Sequence, residues 1–128
     1  MPGELVLIVE DNDKNLKLVR DLLQLKGYRT LEARDGETGV ALALAQTPDL
    51  ILMDIQLPEL DGEAALRRLR AEPRTAAIPV VALTAFAMKE EQQRFLQAGF
   101  DAYIAKPIDV KTFAERIRRL CERTGQGA

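Results

Sequence analysis

Five short apolar runs, each followed by a longer amphipathic stretch, set the tightest limit on how this chain can fold. The apolar runs have the length and composition of strands and cover residues 5–9, 28–33, 49–54, 78–84 and 101–105. The stretches after them show helical periodicity over residues 13–26, 36–46, 63–70, 88–98 and 109–123. Strict alternation of strand and helix is typical of a parallel sheet with helices on both faces. We therefore predict a doubly wound α/β fold that binds its ligands at the carboxyl ends of the strands.

Composition and charge narrow the class of protein. The 128 residues suit one domain over residues 1–128, in which residues 124–128 are expected to form a short frayed tail. The net charge is −2 and no long basic run occurs, so direct contact with nucleic acid is not expected. Without a long apolar stretch or a signal peptide, and with Cys121 as the one cysteine, the chain is expected to be cytoplasmic and not membrane-bound. Because histidine is absent, any metal site must use oxygen ligands, which favours magnesium, calcium or manganese.

Acidic residues stand at the ends of two of the predicted strands. Glu10 and Asp11 follow the first strand, and Asp54 ends the third. If these strands are neighbours, three carboxylates share one pocket, where a pair of like charges about 4 Å apart costs roughly 4 kcal/mol at a dielectric constant near 20. Such a cluster needs a shared proton or a cation, and Mg²⁺ fits. The alternative is that Glu10 and Asp11 are ordinary loop residues or helix caps.

A hydroxyl and an ammonium group are expected at the same edge of the sheet. Thr84 ends the fourth predicted strand, and Lys106 directly follows the fifth. Lys106 can pair with Asp54 or with an anion placed on it, and Thr84 can donate a hydrogen bond to that anion. An acid pair, an acid, a threonine and a lysine at the ends of four buried strands form a far more specific pattern than any one of them alone.

Four segments carry a resemblance to a known family. "LIVEDN", "DLILMDIQLPELDG", "VVALTA" and "YIAKPI" resemble the receiver domains of two-component response regulators, and the likeness runs from about residue 5 to residue 123. Within that family the chain is especially similar to stand-alone cell-cycle regulators of the DivK-like kind. The resemblance implies the flavodoxin-like receiver fold, a five-stranded parallel sheet in the order 2-1-3-4-5. It also implies a Lys106–Pro107 peptide bond in the cis form.

The resemblance implies a function in phosphorelay signalling. Asp54 would accept a phosphoryl group from a histidine kinase or a histidine phosphotransfer protein, forming an acyl phosphate. Mg²⁺ would be the cofactor, held by Glu10, Asp11, Asp54 and the backbone carbonyl of Gln56. Lys106 would neutralise charge on the phosphoryl oxygens, and Thr84 would bind the phosphate once formed. The chain would catalyse its own phosphorylation and autodephosphorylation and would not be an enzyme with a separate substrate. From its position two residues after Asp54, we add the hypothesis that the Gln56 side chain tunes autodephosphorylation.

The same resemblance implies a switch that acts on a protein partner. Phosphorylation would draw in Thr84 and rotate Tyr103 inward, which would change a surface over residues 86–120 that contacts a downstream protein. Phe86 and Met88 are candidate apolar anchors on that surface, and a monomer or weak dimer is expected. Two simpler readings remain open: Tyr103 as a half-buried strand aromatic with a solvated hydroxyl, and Phe86 and Met88 as core residues.

Three other functions are compatible with parts of the pattern. A flavodoxin-type electron carrier shares the fold, but the loop "EDNDKN" after the first strand would repel the phosphate of a flavin. An aspartyl phosphatase would typically carry a second aspartate two residues after the nucleophile, where this chain has Gln56. A pseudo-receiver would bind partners without being phosphorylated, and the complete set of acids, threonine and lysine argues against it.

Overall fold

Five strands and five helices alternate along the chain, as predicted. The computed structural model describes residues 3–57, 59–85 and 89–125, with side chains up to residue 122. The strands are β1 (Leu5–Val9), β2 (Arg29–Ala33), β3 (Leu50–Asp54), β4 (Val80–Thr84) and β5 (Ala102–Ala105). The helices are α1 (Asp13–Leu25), α2 (Gly36–Gln46), α3 (Gly62–Ala71), α4 (Lys89–Ala98) and α5 (Val110–Gly125).

The strands form one parallel sheet in the order β2-β1-β3-β4-β5. This is the fold and the strand order that the sequence led us to expect. The register pairs Val9 of β1 with Met53 of β3, so these two strands end side by side. The residues that follow β1 therefore meet the last residue of β3 at one edge of the sheet.

Apolar residues fill both faces of the sheet, because the central strands are covered on both sides. On one face Leu52 and Val81 pack with Phe113 and Ile117 of α5. On the other face Met53 packs in the cluster that contains Leu66 and Leu69 of α3. Alternate residues of each strand thus enter different halves of the core.

Side-chain caps fix where three helices begin. The N-cap residues Asn12, Asp35 and Asp61 accept hydrogen bonds from backbone N–H groups of the first turns of α1, α2 and α3. The carboxylate of Asp109 likewise accepts a hydrogen bond from the backbone N–H of Lys111, as expected for a residue that caps α5. These helices begin at the edge of the sheet where the strands end, so the caps also shape the loops around the candidate site.

The element ends differ from the prediction by one or two residues. β4 begins at Val80, after Pro79, because proline has no N–H to donate within the sheet. α5 continues to Gly125, two residues beyond its predicted end, and residues 126–128 of the predicted tail lie outside the described part of the chain. No helix in that part is long and apolar enough to cross a membrane.

Candidate functional site

Three carboxylates meet where β1 and β3 end. Glu10 follows β1, and its backbone N–H donates to the carbonyl of Ala33 at 2.9 Å, which extends the pairing with β2 by one residue. One carboxylate oxygen from each of Glu10, Asp11 and Asp54 lies within 4.8 Å of the others. Glu10 and Asp54 are buried, whereas Asp11 is exposed. The pocket that the sequence predicted is therefore present, with an open side at Asp11.

Lys106 brings one positive charge into this pocket. Its Nζ atom lies 3.0 Å from Asp54 Oδ2 and 2.7 Å from Glu10 Oε1. The backbone N–H of Lys106 donates to the carbonyl of Thr84 at 2.8 Å, and the Lys106–Pro107 peptide bond is cis. The contact with Asp54 is a hydrogen bond, and the contact with Glu10 is a close ion pair with a buried carboxylate.

Burial and mutual repulsion change the ionisation of the site. Burial raises the pKa of Glu10 to about 7, the nearby Asp54 carboxylate adds to this rise, and Lys106 partly offsets it. Burial alone would lower the pKa of the Lys106 ammonium, but Glu10 and Asp54 outweigh it, and the pKa is raised. One ammonium group thus faces three carboxylates, an arrangement that favours a shared proton or a bound cation.

The donor set fits a hard divalent cation. All candidate ligands are oxygen atoms, as Mg²⁺ prefers. Glu10 and Asp54 are both buried and share the single ammonium group of Lys106, and Asp11 adds a third carboxylate, so a further positive group would offset the remaining negative charge. The exposed Asp11 leaves an open side for water and a phosphate group. The residues present therefore suit a magnesium ion, with Glu10, Asp11 and Asp54 as the carboxylate ligands.

Two other predicted residues lie on strands beside Asp54. Thr84 is the buried last residue of β4. It follows Leu83, which pairs with Asp54 in the sheet register. Tyr103 lies half-buried on β5, and its backbone carbonyl accepts a hydrogen bond from Arg116 at 2.6 Å. The half-buried position is compatible with both a switch residue and an ordinary strand aromatic. Phe86 and Met88 lie outside the described residues.

Gln56 is exposed, but its backbone is tied to the site. Its N–H donates to Asp54 Oδ1 at 3.0 Å, which fixes the orientation of that carboxylate. The residue is exposed in the loop after β3. This is compatible with the predicted effect on autodephosphorylation.

Two glycines contact the loop after β3, and the sequence analysis did not single them out. A Cβ atom on Gly62 would lie 2.6 Å from the carbonyl oxygen of Asp54, and one on Gly36 would lie 2.5 Å from that of Leu60. Each glycine opens a helix and follows its N-cap aspartate, so the segment "DGE" occurs twice, at residues 35–37 and 61–63. This repetition is the signal that could have identified them.

The fold and the acidic pocket define a class of signalling domain. The model of the response regulator receiver domain family matches residues 6–118, and the chain belongs to this family. It is a receiver domain of the kind found in two-component response regulators. The alternative of a pseudo-receiver is not favoured.

Particular relatives refine this assignment. The chain is 50% identical to the polar-differentiation response regulator DivK of Brucella anthropi over 113 residues, which cover 88% of this chain and 92% of that protein. The receiver domain of a sensor histidine kinase from Pseudomonas aeruginosa PAO1 is 38% identical, with a TM-score of 0.82 over 95% of this chain and 97% of that one. That structure holds a magnesium ion in its active-site cleft. The chemotaxis response regulator CheY4 of Vibrio cholerae has a TM-score of 0.87 at 25% identity, over 92% of this chain and 98% of that one.

Proposed function

We propose that this receiver domain accepts a phosphoryl group on Asp54 and thereby switches a surface that contacts other proteins. The observation that carries the proposal is the position of the Asp54 carboxylate, buried at the end of β3 between two acids and an ammonium group. A carboxylate oxygen of Asp54 attacks the phosphorus of a phosphohistidine, the P–N bond breaks, and the leaving imidazole takes up a proton. The product is an acyl phosphate on Asp54.

The pocket supports magnesium as the cofactor. Glu10, Asp11 and Asp54 would hold the ion, together with the backbone carbonyl of Gln56. When bound, Mg²⁺ neutralises the negative charge of the phosphoryl oxygens during in-line transfer. The magnesium ion in the related histidine-kinase receiver domain supports the same cofactor here.

Lys106 and Thr84 would act on the phosphoryl group from the other side. The Lys106 ammonium already contacts the Asp54 carboxylate, so it needs to move little to contact an oxygen of the attached phosphoryl group. Thr84 lies at the end of the adjacent strand and would donate its hydroxyl hydrogen to the same group. The phosphoryl group would bind Thr84 better in the active conformation than in the inactive one. This difference in binding would shift the population of molecules towards the active state.

The wider roles follow from the phosphorylation chemistry. A histidine kinase or a histidine phosphotransfer protein would supply the phosphoryl group, and a downstream protein would bind the changed surface around Tyr103, Phe86 and Met88. The domain would act as a regulator through protein contacts, as a monomer or weak dimer, without contacting nucleic acid or membrane. Its catalysis would be limited to its own phosphorylation and autodephosphorylation, and the cytoplasmic location stays a prediction.

Intact mass spectrometry tests the proposal. The protein is incubated with Mg²⁺ and phosphoramidate beside the Asp54→Asn variant, with EDTA in a parallel sample. We expect the wild-type protein to gain one phosphoryl group when Mg²⁺ is present, and the variant to gain none. A folded wild-type protein that binds Mg²⁺ but gains no phosphoryl group, either from phosphoramidate or from a phosphorylated histidine phosphotransfer protein, would support the pseudo-receiver instead.

A further inference from the structure

The loop between β3 and α3 lies between two glycines at close range. A Cβ atom on Gly62 would lie 2.6 Å from the Asp54 carbonyl oxygen and 3.0 Å from Ile55 Cα. A Cβ atom on Gly36 would lie 2.5 Å from the Leu60 carbonyl oxygen. These neighbours are backbone atoms, which cannot rotate away as the end of a flexible side chain does. A larger residue at either position must therefore displace the loop, or displace the helix whose first residue is the glycine.

Space, not backbone conformation, requires glycine at these two positions. Gly99, which follows α4, has a φ of +113° that disfavours other residues, yet the nearest described atom to a Cβ there would be Leu66 Cδ2 at 3.5 Å, an ordinary contact distance. Gly36 and Gly62 show the opposite combination, because their φ angles lie outside that left-handed region and their surroundings are crowded. The first turns of α2 and α3 therefore approach the loop from its two ends.

The loop itself is held by hydrogen bonds that lead to the acceptor. The N–H of Gly62 donates to the carbonyl of Ile55 at 3.2 Å, and the N–H of Gln56 donates to Asp54 Oδ1 at 3.0 Å. Within the same loop, Glu59 has a φ of +62° and so adopts a left-handed backbone conformation. These two hydrogen bonds connect the start of α3 to the backbone after β3 and that backbone to the Asp54 carboxylate.

We propose that Gly36 and Gly62 form a clamp that positions the Asp54 carboxylate and the Gln56 carbonyl relative to Glu10 and Asp11. The inference rests on the proposed function, in which these groups hold Mg²⁺ and Asp54 accepts the phosphoryl group. Both glycines are positioning residues, because neither contacts the reacting atoms. Glu10 and Asp11 lie in the segment between β1 and α1, so a displaced β3–α3 loop changes the distance between the two halves of the site.

Isothermal titration calorimetry with MgCl₂, performed on the full chain, measures how the clamp affects Mg²⁺ affinity. Gly36→Ala and Gly62→Ala are compared with the wild-type protein and with Gly99→Ala, which is strained but lies away from the site. Because residues that orient metal ligands typically change affinity by about 10- to 100-fold, we expect each clamp variant to bind Mg²⁺ at least about tenfold more weakly. Gly99→Ala is expected to lose stability and keep wild-type affinity. Urea unfolding of all four proteins establishes that each is folded during the titration.

A readout without metal separates this inference from the proposed function. Hydrogen exchange of the Gln56 amide, followed by NMR without Mg²⁺, reports whether its bond to Asp54 persists. We expect faster exchange in both clamp variants and no change in Gly99→Ala. If Gly62→Ala does not fold, Gly36→Ala decides the question. Wild-type exchange at Gln56 with wild-type Mg²⁺ affinity in a folded clamp variant would overturn the clamp. A wild-type protein that binds no Mg²⁺ would refute the cofactor assignment, and the exchange rates alone would then decide the clamp.

Discussion

At the scale of single residues, Lys106 has surroundings unlike those of an ordinary surface lysine. Its side chain is 17% exposed, and its ammonium contacts two buried carboxylates at 2.7 and 3.0 Å. Desolvation of an ion pair is costly, and breaking such a pair leaves a buried charge uncompensated. The geometry therefore gives Lys106 two effects: it stabilises the pocket without metal, and it competes with a cation for the same oxygens.

Replacing Lys106 by methionine separates these two effects. The variant keeps an unbranched side chain and removes the charge. We expect Mg²⁺ affinity to rise by about fivefold, because one competing cation is gone, while phosphoryl transfer from phosphoramidate slows by about tenfold or more. Calorimetry and intact mass spectrometry measure the two quantities. Lys111→Met, on the exposed start of α5, is the control, and an unchanged transfer rate in Lys106→Met would contradict the role of Lys106.

The buried thiol of Cys121 is expected to make the free energy of unfolding depend on pH, independently of the candidate site. Burial raises the pKa of its thiol from an ordinary 9.0 to about 11, and the charges of Glu4 and Asp49 add to the rise. Between pH 9 and 11 the unfolded chain loses this proton and the folded chain keeps it, so the free energy of unfolding falls as the pH rises. The contribution is at most about 3 kcal/mol, since one pKa unit corresponds to about 1.4 kcal/mol. Urea unfolding at several pH values should show a shallower decline in Cys121→Ala, and parallel curves for the two proteins would refute the assignment.

At the scale of elements, the carboxyl ends of the strands were predictable and the glycine contacts were not. Apolar runs located β1 and β3, and a parallel sheet then placed Glu10 and Asp54 at the same edge, close together only if the two strands are neighbours. The order of the strands came from the family resemblance, because alternation alone leaves several orders possible. The close approach of Gly36 to Leu60 depends on how α2 packs beside the loop before α3. Such a contact between distant segments leaves no periodic pattern in the sequence.

Arg70 near the end of α3 joins several elements at the opposite edge of the sheet. Its guanidinium donates to the carbonyls of Ala76, Ile78 and Gly99, and to Asp101 Oδ2 at 2.9 Å. That same Asp101 oxygen accepts the N–H of Val80, the first residue of β4. The sequence predicted a short helix here but gave no sign of this network, because one side chain joins two loops that are distant from it and from each other in the sequence.

Removal of this network should lower stability without altering the site. We expect Arg70→Ala to reduce the free energy of unfolding by about 2–3 kcal/mol, since hydrogen bonds to a charged group are lost together. Arg70→Lys should recover little, because an ammonium cannot reproduce the planar fork of donors. Urea unfolding measures both. Arg67→Ala, exposed on the same helix, is the control and should stay within about 0.5 kcal/mol of wild type. An Arg70→Ala variant as stable as Arg67→Ala would contradict the assigned role.

At the scale of the whole molecule, the sheet separates an acidic, functional edge from a structural one. Strands covered on both faces hold Asp54 and Thr84 in fixed register, whereas the loops that follow β1 and β3 carry Glu10, Asp11 and Gln56. A rigid sheet with a pocket of partly uncompensated charge is less stable than the same fold with that charge neutralised. Cation binding should therefore be measurable as stability of the entire domain.

Magnesium is expected to stabilise the folded protein. At a free concentration about 100 times its Kd, Mg²⁺ should add about 2.7 kcal/mol to the free energy of unfolding. Urea unfolding with and without MgCl₂, at an ionic strength matched with NaCl, measures the gain. Asp54→Asn should lose most of it and EDTA should abolish it. An equal gain in wild type and Asp54→Asn would indicate general screening of charge and not a site built on Asp54.

The central claim is that Asp54 carries the phosphoryl group, and chemical mapping tests it most directly. Protein phosphorylated with phosphoramidate is treated with sodium borohydride, which reduces an acyl phosphate to the corresponding alcohol, and is then digested and sequenced by tandem mass spectrometry. We predict that residue 54 is recovered as homoserine and that the other acidic residues, including Glu10 and Asp11, are unchanged. Homoserine at another aspartate, with Asp54 intact, would contradict the assignment.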